Sequence, residues 1–393
     1  MLLADAAELS RKGNTMCKRN VIGKISGFTI ADVKKNTTLF YAAFFMMVFA
    51  KAFGLFSADR SYYIMFAAAA TLLLIRILIS LKSWDTLIRV CLVLAPGAIV
   101  FLHNRETTLL FTCLFLAASK DVDFETSMKG ALIACAAAIP LRVMLYFLGV
   151  VEGGTKPIIS HDNMGNPYIV GYTKGYGFVT PNMLFAAVFI AVLLLLYVRR
   201  NKLNFTVLAI VSAITVGVFW ITKCKTGMVV YAAVLGALLL GAVFPNKKSL
   251  IKAYCLLMIA GSIILGAVVP LIYSVDNPVL FLIDEYLLSG RLLLSNNALK
   301  EMGVTLLGKG DCFLDILYMD VLLNCGLLGF AALLCGFCAA VWCFVKQENM
   351  MGLICISAMI LYACMEQFPL NIAMNPFLLY LGTNVIFTSK VKT

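Results

Sequence analysis

Runs of about 20 apolar residues recur along nearly the whole chain, each bounded by Lys, Arg or Asn, the pattern that hydrocarbon-crossing helices require. About twelve spans are predicted on this length rule, near 38–57, 61–81, 87–103, 107–119, 130–150, 179–198, 204–222, 227–244, 252–273, 316–345, 350–365 and 371–389, the fourth being short. The polar breaks between them are mostly brief. Two are long, about 151–178 and about 274–315, and loops of that length in a compact protein are usually functional. The first, rich in Gly, Asn and Tyr, reads as irregular, flexible chain. The second contains "LLSGRLLLSNNALKEMG", where Ser289 is a candidate N-cap, Gly290 to Met302 can be helical and Gly303 suits the position after the last turn. Arg291, Ser295, Ala298 and Met302 then share one helix face.

Charge orients this pattern. The breaks "RRNK" at 199–202, "PNKKSLIK" at 245–252 and "VKQEN" at 345–349, with the tail "SKVKT", are short and basic, hence cytoplasmic. Residues 1–37 carry Arg11, Lys12, Lys18, Arg19, Lys24, Lys34 and Lys35 without an apolar core or cleavage pattern, so they read as a cytoplasmic basic arm and not a signal peptide. With about twelve crossings both termini lie inside, residues 390–393 form a cytoplasmic tail, and both long loops face outward. The fold class expected is all-α, a polytopic integral membrane protein with one transmembrane domain over 38–389.

Composition agrees: the chain of 393 residues is 62% hydrophobic and 13% charged, about half the charged share of a soluble domain. The net charge of +12 needs no nucleic acid, since it marks the cytoplasmic face and meets anionic membrane lipid there. The 13 Cys fall mostly inside spans and read as small packing residues; Cys335 and Cys338 form a CxxC, but within an apolar helix.

The helix start at Arg291 offers free N–H groups, a positive dipole end and a planar fork of donors, together an anion seat for which a diphosphate is the natural guest; the plainer alternative is an interfacial helix touching headgroups. Lys174, Lys225 and Arg291 are the basic residues in polar outward context, and only the fold could bring them together. Asp315, at a water–lipid boundary, is a candidate general base with Asp311 behind it, the alternative for Asp315 being a dipole-complementing helix start. Arg76 and Arg142 interrupt apolar runs; Arg142 could reach a lipid phosphate, and Arg76 could snorkel inward. Three patterns mislead. "GVTLLGKG" at 303–310 lacks the hydroxyl residue and strand of a P-loop, "DVD" at 121–123 lies on the wrong side for a metal-dependent transferase, and "SHDNMGN" at 160–166 offers too few ligands for an ion. No metal and no cofactor is expected.

From "LLSGR" onward the chain resembles the O-antigen and capsular polysaccharide polymerase family (Wzy-type), within the broader O-antigen ligase superfamily. The matching features are Ser289–Arg291, an LGxG turn at Leu307–Gly310, Asp315 with Tyr318 three residues on, and a G-(I/L)-(I/L)-G-F run at Gly326–Phe330. "GYGFVTPN" at 175–182 resembles the family's GF.xPN segment, and "TKCKTG" at 222–227 its S-R-T-G segment, with Cys224 and Lys225 where Ser and Arg are usual. The resemblance implies a glycosyltransferase of the outer leaflet of the bacterial cytoplasmic membrane. It would join oligosaccharide units carried on undecaprenyl diphosphate, working beside a flippase and a chain-length regulator. Related ligases carry a His in the second long loop, and none occurs between 274 and 315 here. The expected mechanism is metal-independent inverting transfer. Arg291, Lys174 and Lys225 bind the diphosphate, Asp315 or Asp311 accepts the hydroxyl proton, and Tyr172, Tyr176 and Tyr318 pack on sugar rings, with Ser289 and Arg142 as further substrate contacts. The rival readings are a ligase-like glycan transferase and a lipid-linked oligosaccharide flippase, the latter favoured by Arg76 and Arg142.

Overall fold

In hydrocarbon a backbone N–H or C=O has no partner but another backbone group, so long apolar runs close into helices. The computed structural model describes residues 30–56, 59–161, 167–310 and 312–387. Among them eight helices are long and apolar enough to cross a membrane: Arg60–Ser80, Trp84–Asn104, Phe124–Phe147, Pro181–Val198, Phe205–Thr222, Lys225–Val243, Lys248–Ile272 and Gly326–Lys346. Four shorter apolar helices accompany them, Thr37–Ala52, Thr108–Ala118, Met350–Tyr362 and Pro376–Ile386. The chain is thus a polytopic membrane protein, all-helical among the described residues apart from one two-stranded hairpin. Met350–Tyr362 and Thr108–Ala118 are almost wholly buried, whereas the long helices turn Leu74, Leu78, Leu92, Leu102, Ile210 and Trp342 outward. So much apolar surface on a folded chain is the signature of contact with lipid. The basic arm up to residue 29, the 390–393 tail and Asp311 lie outside the described residues.

Short connections pin one end of the bundle. Arg200 pairs with Glu125 at 2.7 Å, Tyr197 donates to the same carboxylate, Asn349 donates to Tyr197, and Lys248 pairs with Glu348. The Asp of "DVD" nearest the next helix, Asp123, is simply its N-cap and accepts from the Thr126 N–H at 2.7 Å.

The other end carries the two long loops, and among the described residues each holds regular structure. Residues 155–161 and 167–174 form an antiparallel hairpin, with Thr155 opposite Lys174 and Lys156 opposite Thr173. "PIIS" and "YIVGYT" supply the β-branched and aromatic residues that suit a pleated ribbon, which a count of Gly and Asn conceals. In the second loop, Asn277 caps a short helix Pro278–Ile283, a π turn covers Asp284–Leu288, and the helix Arg291–Met302 follows.

The span expected over 316–345 is broken. A helix Leu317–Asn324 stops, the chain turns at Gly326 with φ +70°, and the long helix Gly326–Lys346 starts afresh. The LGKG turn plugs this break: Leu327 and Leu328 donate to the Thr305 and Leu306 carbonyls, and Lys309 N–H donates to Leu323 at 2.9 Å. A helix start leaves its first N–H groups unpaired, and the turn satisfies them. The P-loop-like sequence therefore spends its backbone on capping, and Lys309 Nζ caps the Met302 carbonyl of the preceding helix.

Candidate functional site

The reversal before Arg291 is tight. Ser289 and Gly290 both adopt left-handed backbone, φ +55° and +80°, so Gly290 and not Ser289 precedes the first helical residue, and no side chain from either caps it. The cap comes from Asp284, eight and nine residues back, whose two carboxylate oxygens accept from Leu292 N–H at 2.8 Å and Leu293 N–H at 3.0 Å. The helix end expected to seat an outside anion is thus already neutralised from within. What remains for a ligand is the side chain that this turn aims inward.

That side chain, Arg291, is 9% exposed and forked between two carboxylates. Its Nε donates to Asp315 Oδ2 at 2.7 Å and its Nη2 to Glu366 Oε1 at 2.9 Å. Asp315 lies just before Leu317, whose N–H bonds the Ala363 carbonyl; Glu366 follows that same residue, with its own N–H on Tyr362. The ends of two helices are so docked that their carboxylates share one guanidinium. Asn182, the last residue of the PN segment, donates to Glu366 Oε1 at 3.4 Å. Cys224 is buried beside Tyr362, 3.9 Å from its hydroxyl, and its thiol lies within electrostatic reach of Arg291.

The electrostatics separate these groups. Burial pushes the Glu366 carboxyl up; Arg291 pulls it down and Asp315 pushes it up again, and it settles at about 7. Burial opposes the charge of Arg291, yet Glu366 and Asp315 together hold its proton more tightly than usual. Lys156 on the hairpin also acts on Glu366. Next door, burial and the Glu106 charge push Asp320 up to about 7, while Asn324 donates to it at 2.9 Å. A carboxyl whose folded pKa exceeds its unfolded value costs stability as pH rises between the two. Asp320→Asn, which keeps a carbonyl acceptor for Asn324, should therefore stabilise the protein by about 4 kcal/mol at pH 8 and by little near pH 4. Thermal melts in detergent at the two pH values check this.

The other expected site residues divide. Lys174 and Tyr172 are exposed on the hairpin, on the opposite strand face from Thr173 and its partner Lys156, because neighbouring strand residues point to opposite sides. Lys156 is exposed as well, and it is the hairpin lysine whose charge acts on Glu366. Lys225 is exposed at the first position of its helix, and its buried neighbour Cys224 is what approaches Arg291. Tyr318 is no sugar platform: it is fully buried, its hydroxyl 3.0 Å from Ser262. Tyr176 packs edge to face on Tyr146. Arg142 is held by the Gly177 carbonyl at 2.6 Å and lies over the Phe53 ring, and Arg76 by the Lys120 carbonyl. The sequence reading missed Glu366, Lys156 and Asn182 as site groups. One signal was available: Glu366 is the single acidic residue after Glu348.

Comparison of the chain with protein-family models, curated proteins and solved structures finds no match.

Proposed function

We propose that this protein is an oligosaccharide repeat-unit polymerase of the bacterial cytoplasmic membrane, with about twelve crossings, both termini inside and the Arg291 centre at the outer face. The observation that carries the reading is convergence. Arg291 of the SGR stretch, Asp315 of the Asp–Tyr pair, Asn182 of the PN segment and Cys224 of TKCKTG come from four separate stretches that resemble the polymerase family, and all gather around one guanidinium. The orientation is supported by the opposite end, whose connections hold Arg199, Arg200, Lys202, Lys247 and Lys248.

The chemistry follows from the charges. A glycan unit on a lipid diphosphate breaks its bond to phosphate when a hydroxyl of the incoming unit attacks the anomeric carbon, and the leaving diphosphate gains charge. Arg291, with Lys156 nearby, stabilises that charge in a largely buried setting where a fixed donor is worth most. The paired carboxylates supply the proton acceptor, and the reaction so written uses no metal. A flippase reading loses its support, because Arg76 and Arg142 are both engaged by backbone carbonyls.

The test is Arg291→Ala and Arg291→Lys in purified protein given lipid-linked repeat units. Ala should reduce polymer formation at least about 100-fold, and Lys should restore little, since an ammonium cannot replace the two-pronged fork. Parental polymer length in both variants would remove Arg291 from the chemistry.

A further inference from the structure

We infer that Glu366 is the proton acceptor of the transfer and that Asp315 is a positioning residue that holds the Arg291 guanidinium in its working plane. The inference rests on the polymerase reading and divides the labour between the two carboxylates of its centre.

Geometry distinguishes them. Asp315 is the more open, 36% exposed, and its bond at 2.7 Å goes to Nε, the nitrogen whose direction fixes the plane of the fork. Glu366 is 15% exposed, and both bonds it accepts, from Arg291 Nη2 and Asn182 Nδ2, fall on Oε1. A carboxylate open to water is poorly basic, whereas a shielded one competes for a hydroxyl proton. The charged and titratable groups facing Glu366 come from five elements: Arg291 from the helix Arg291–Met302, Asp315 ahead of Leu317, Lys156 from the hairpin, and Cys224 and Tyr362 from two helix ends. Asp315 raises the proton affinity of Glu366, and Arg291 and Lys156 restrain it. The net effect keeps Glu366 near its midpoint at neutral pH.

The step balances within the named groups. The acceptor hydroxyl oxygen forms the new bond to the anomeric carbon, and the bond from that carbon to the phosphate oxygen breaks with its electron pair going to the diphosphate. The hydroxyl proton passes to Glu366, which returns it to water after the product leaves. Arg291 moves charge nowhere; it meets the diphosphate as it departs. Asn182 orients the acceptor carboxylate without taking part in proton transfer.

The experiment uses the full chain in proteoliposomes with lipid-linked repeat units, measuring kcat from pH 5.5 to 8.5 and, separately, retention of the lipid diphosphate donor. The parental protein should show kcat rising about tenfold per pH unit below 7 and levelling above it, since Glu366 must be deprotonated to accept. Glu366→Gln should lose at least about 100-fold in kcat while keeping donor retention within about threefold, and Glu366→Asp should recover part of the rate. Asp315→Asn should raise KM and keep the acidic limb, displaced to lower pH because a charge that raised the Glu366 midpoint is gone. Parental kcat in Glu366→Gln, an acidic limb that vanishes in Asp315→Asn, or loss of donor retention together with kcat in Glu366→Gln would each overturn the assignment. Failure of the parental protein to lengthen lipid-linked units at all would instead defeat the polymerase reading beneath it.

Discussion

Gly326→Ala and Gly308→Ala should each leave little or no folded protein, while Gly303→Ala should cost only its backbone strain, about 1–3 kcal/mol. All three residues have positive φ, +70°, +77° and +68°, so an L side chain is strained at each, and Gly303, with ψ 167°, lies in a region that glycine alone adopts readily. What differs is the space. A Cβ at Gly326 would lie 2.3 Å from Gly308 N and 2.4 Å from Leu306 O, and one at Gly308 would lie 2.1 Å from Asn324 O. These neighbours are backbone atoms that cannot rotate aside, and they belong to the turn that caps the helix Gly326–Lys346. At Gly303 nothing lies within 4 Å of the same atom. Overpacking adds about 1–3 kcal/mol or more to the backbone strain, and loss of the capping bonds with Leu327 and Leu328 adds to that. Against a total stability of about 5–15 kcal/mol, that combination is disabling. Monodispersity and melting temperature of the three variants in detergent decide it, and a Gly326→Ala protein that melts like Gly303→Ala would show that the turn does not bear on the helix start. The control also separates this packing from any role in chemistry, because no site group touches Gly303.

What could be read from the chain follows from the range of each interaction. Membrane helices announce themselves locally, since each run of apolar residues satisfies its own backbone, and the ends came within a few residues for Pro181–Val198, Phe205–Thr222 and Met350–Tyr362. Arg291 was legible for the same reason: a helix start with a cation is a local pattern. Its partners were not. Glu366 is 75 positions away, and nothing near "CMEQFP" marks it except its isolation among apolar residues. The cap on the Arg291 helix was misread because Ser289 has the right chemistry in the right place, but the left-handed turn at 289 and 290 rotates it out of position and the distant Asp284 fills the role. The break at 325 was hidden by continuous hydrophobicity, and only the meeting of Gly308 with Gly326 explains it. Lys156 and Lys174 differ by strand parity, which is invisible until the hairpin register is known.

Arg291→Met is expected to destabilise the protein by about 3–5 kcal/mol at pH 8, and the loss should shrink as the pH falls to about 7 and hold steady below it. The reason lies in what is left behind. Removing one partner of a buried ion pair leaves the other charge without compensation, which costs more than the intact pair was worth. Here one guanidinium serves two carboxylates, so its loss strands both Asp315 and Glu366, the latter in a largely buried position. Glu366 is already held at about 7, and Arg291 is the strongest of the influences that lower it, so without the guanidinium the carboxyl holds its proton to still higher pH. Its folded pKa lies above its unfolded value. Stability is therefore retained at low pH, where the group is neutral in both states, and drains away as pH climbs through the window between the two values. The continued decline of the variant above about pH 7, where the parent curve levels, is the diagnostic part of the prediction, since a methionine that merely packed badly would lower the curve by the same amount throughout. Adding Asp315→Asn and Glu366→Gln to Arg291→Met should return the melting curve at pH 8 to within about 1 kcal/mol of the parent, because neutral groups of the same shape no longer need the cation. The repaired triple variant should still form no polymer. That outcome would show one guanidinium holding the helix ends together and serving the chemistry as separable properties, whereas a flat pH response in Arg291→Met would mean that the two carboxylates find their compensation elsewhere.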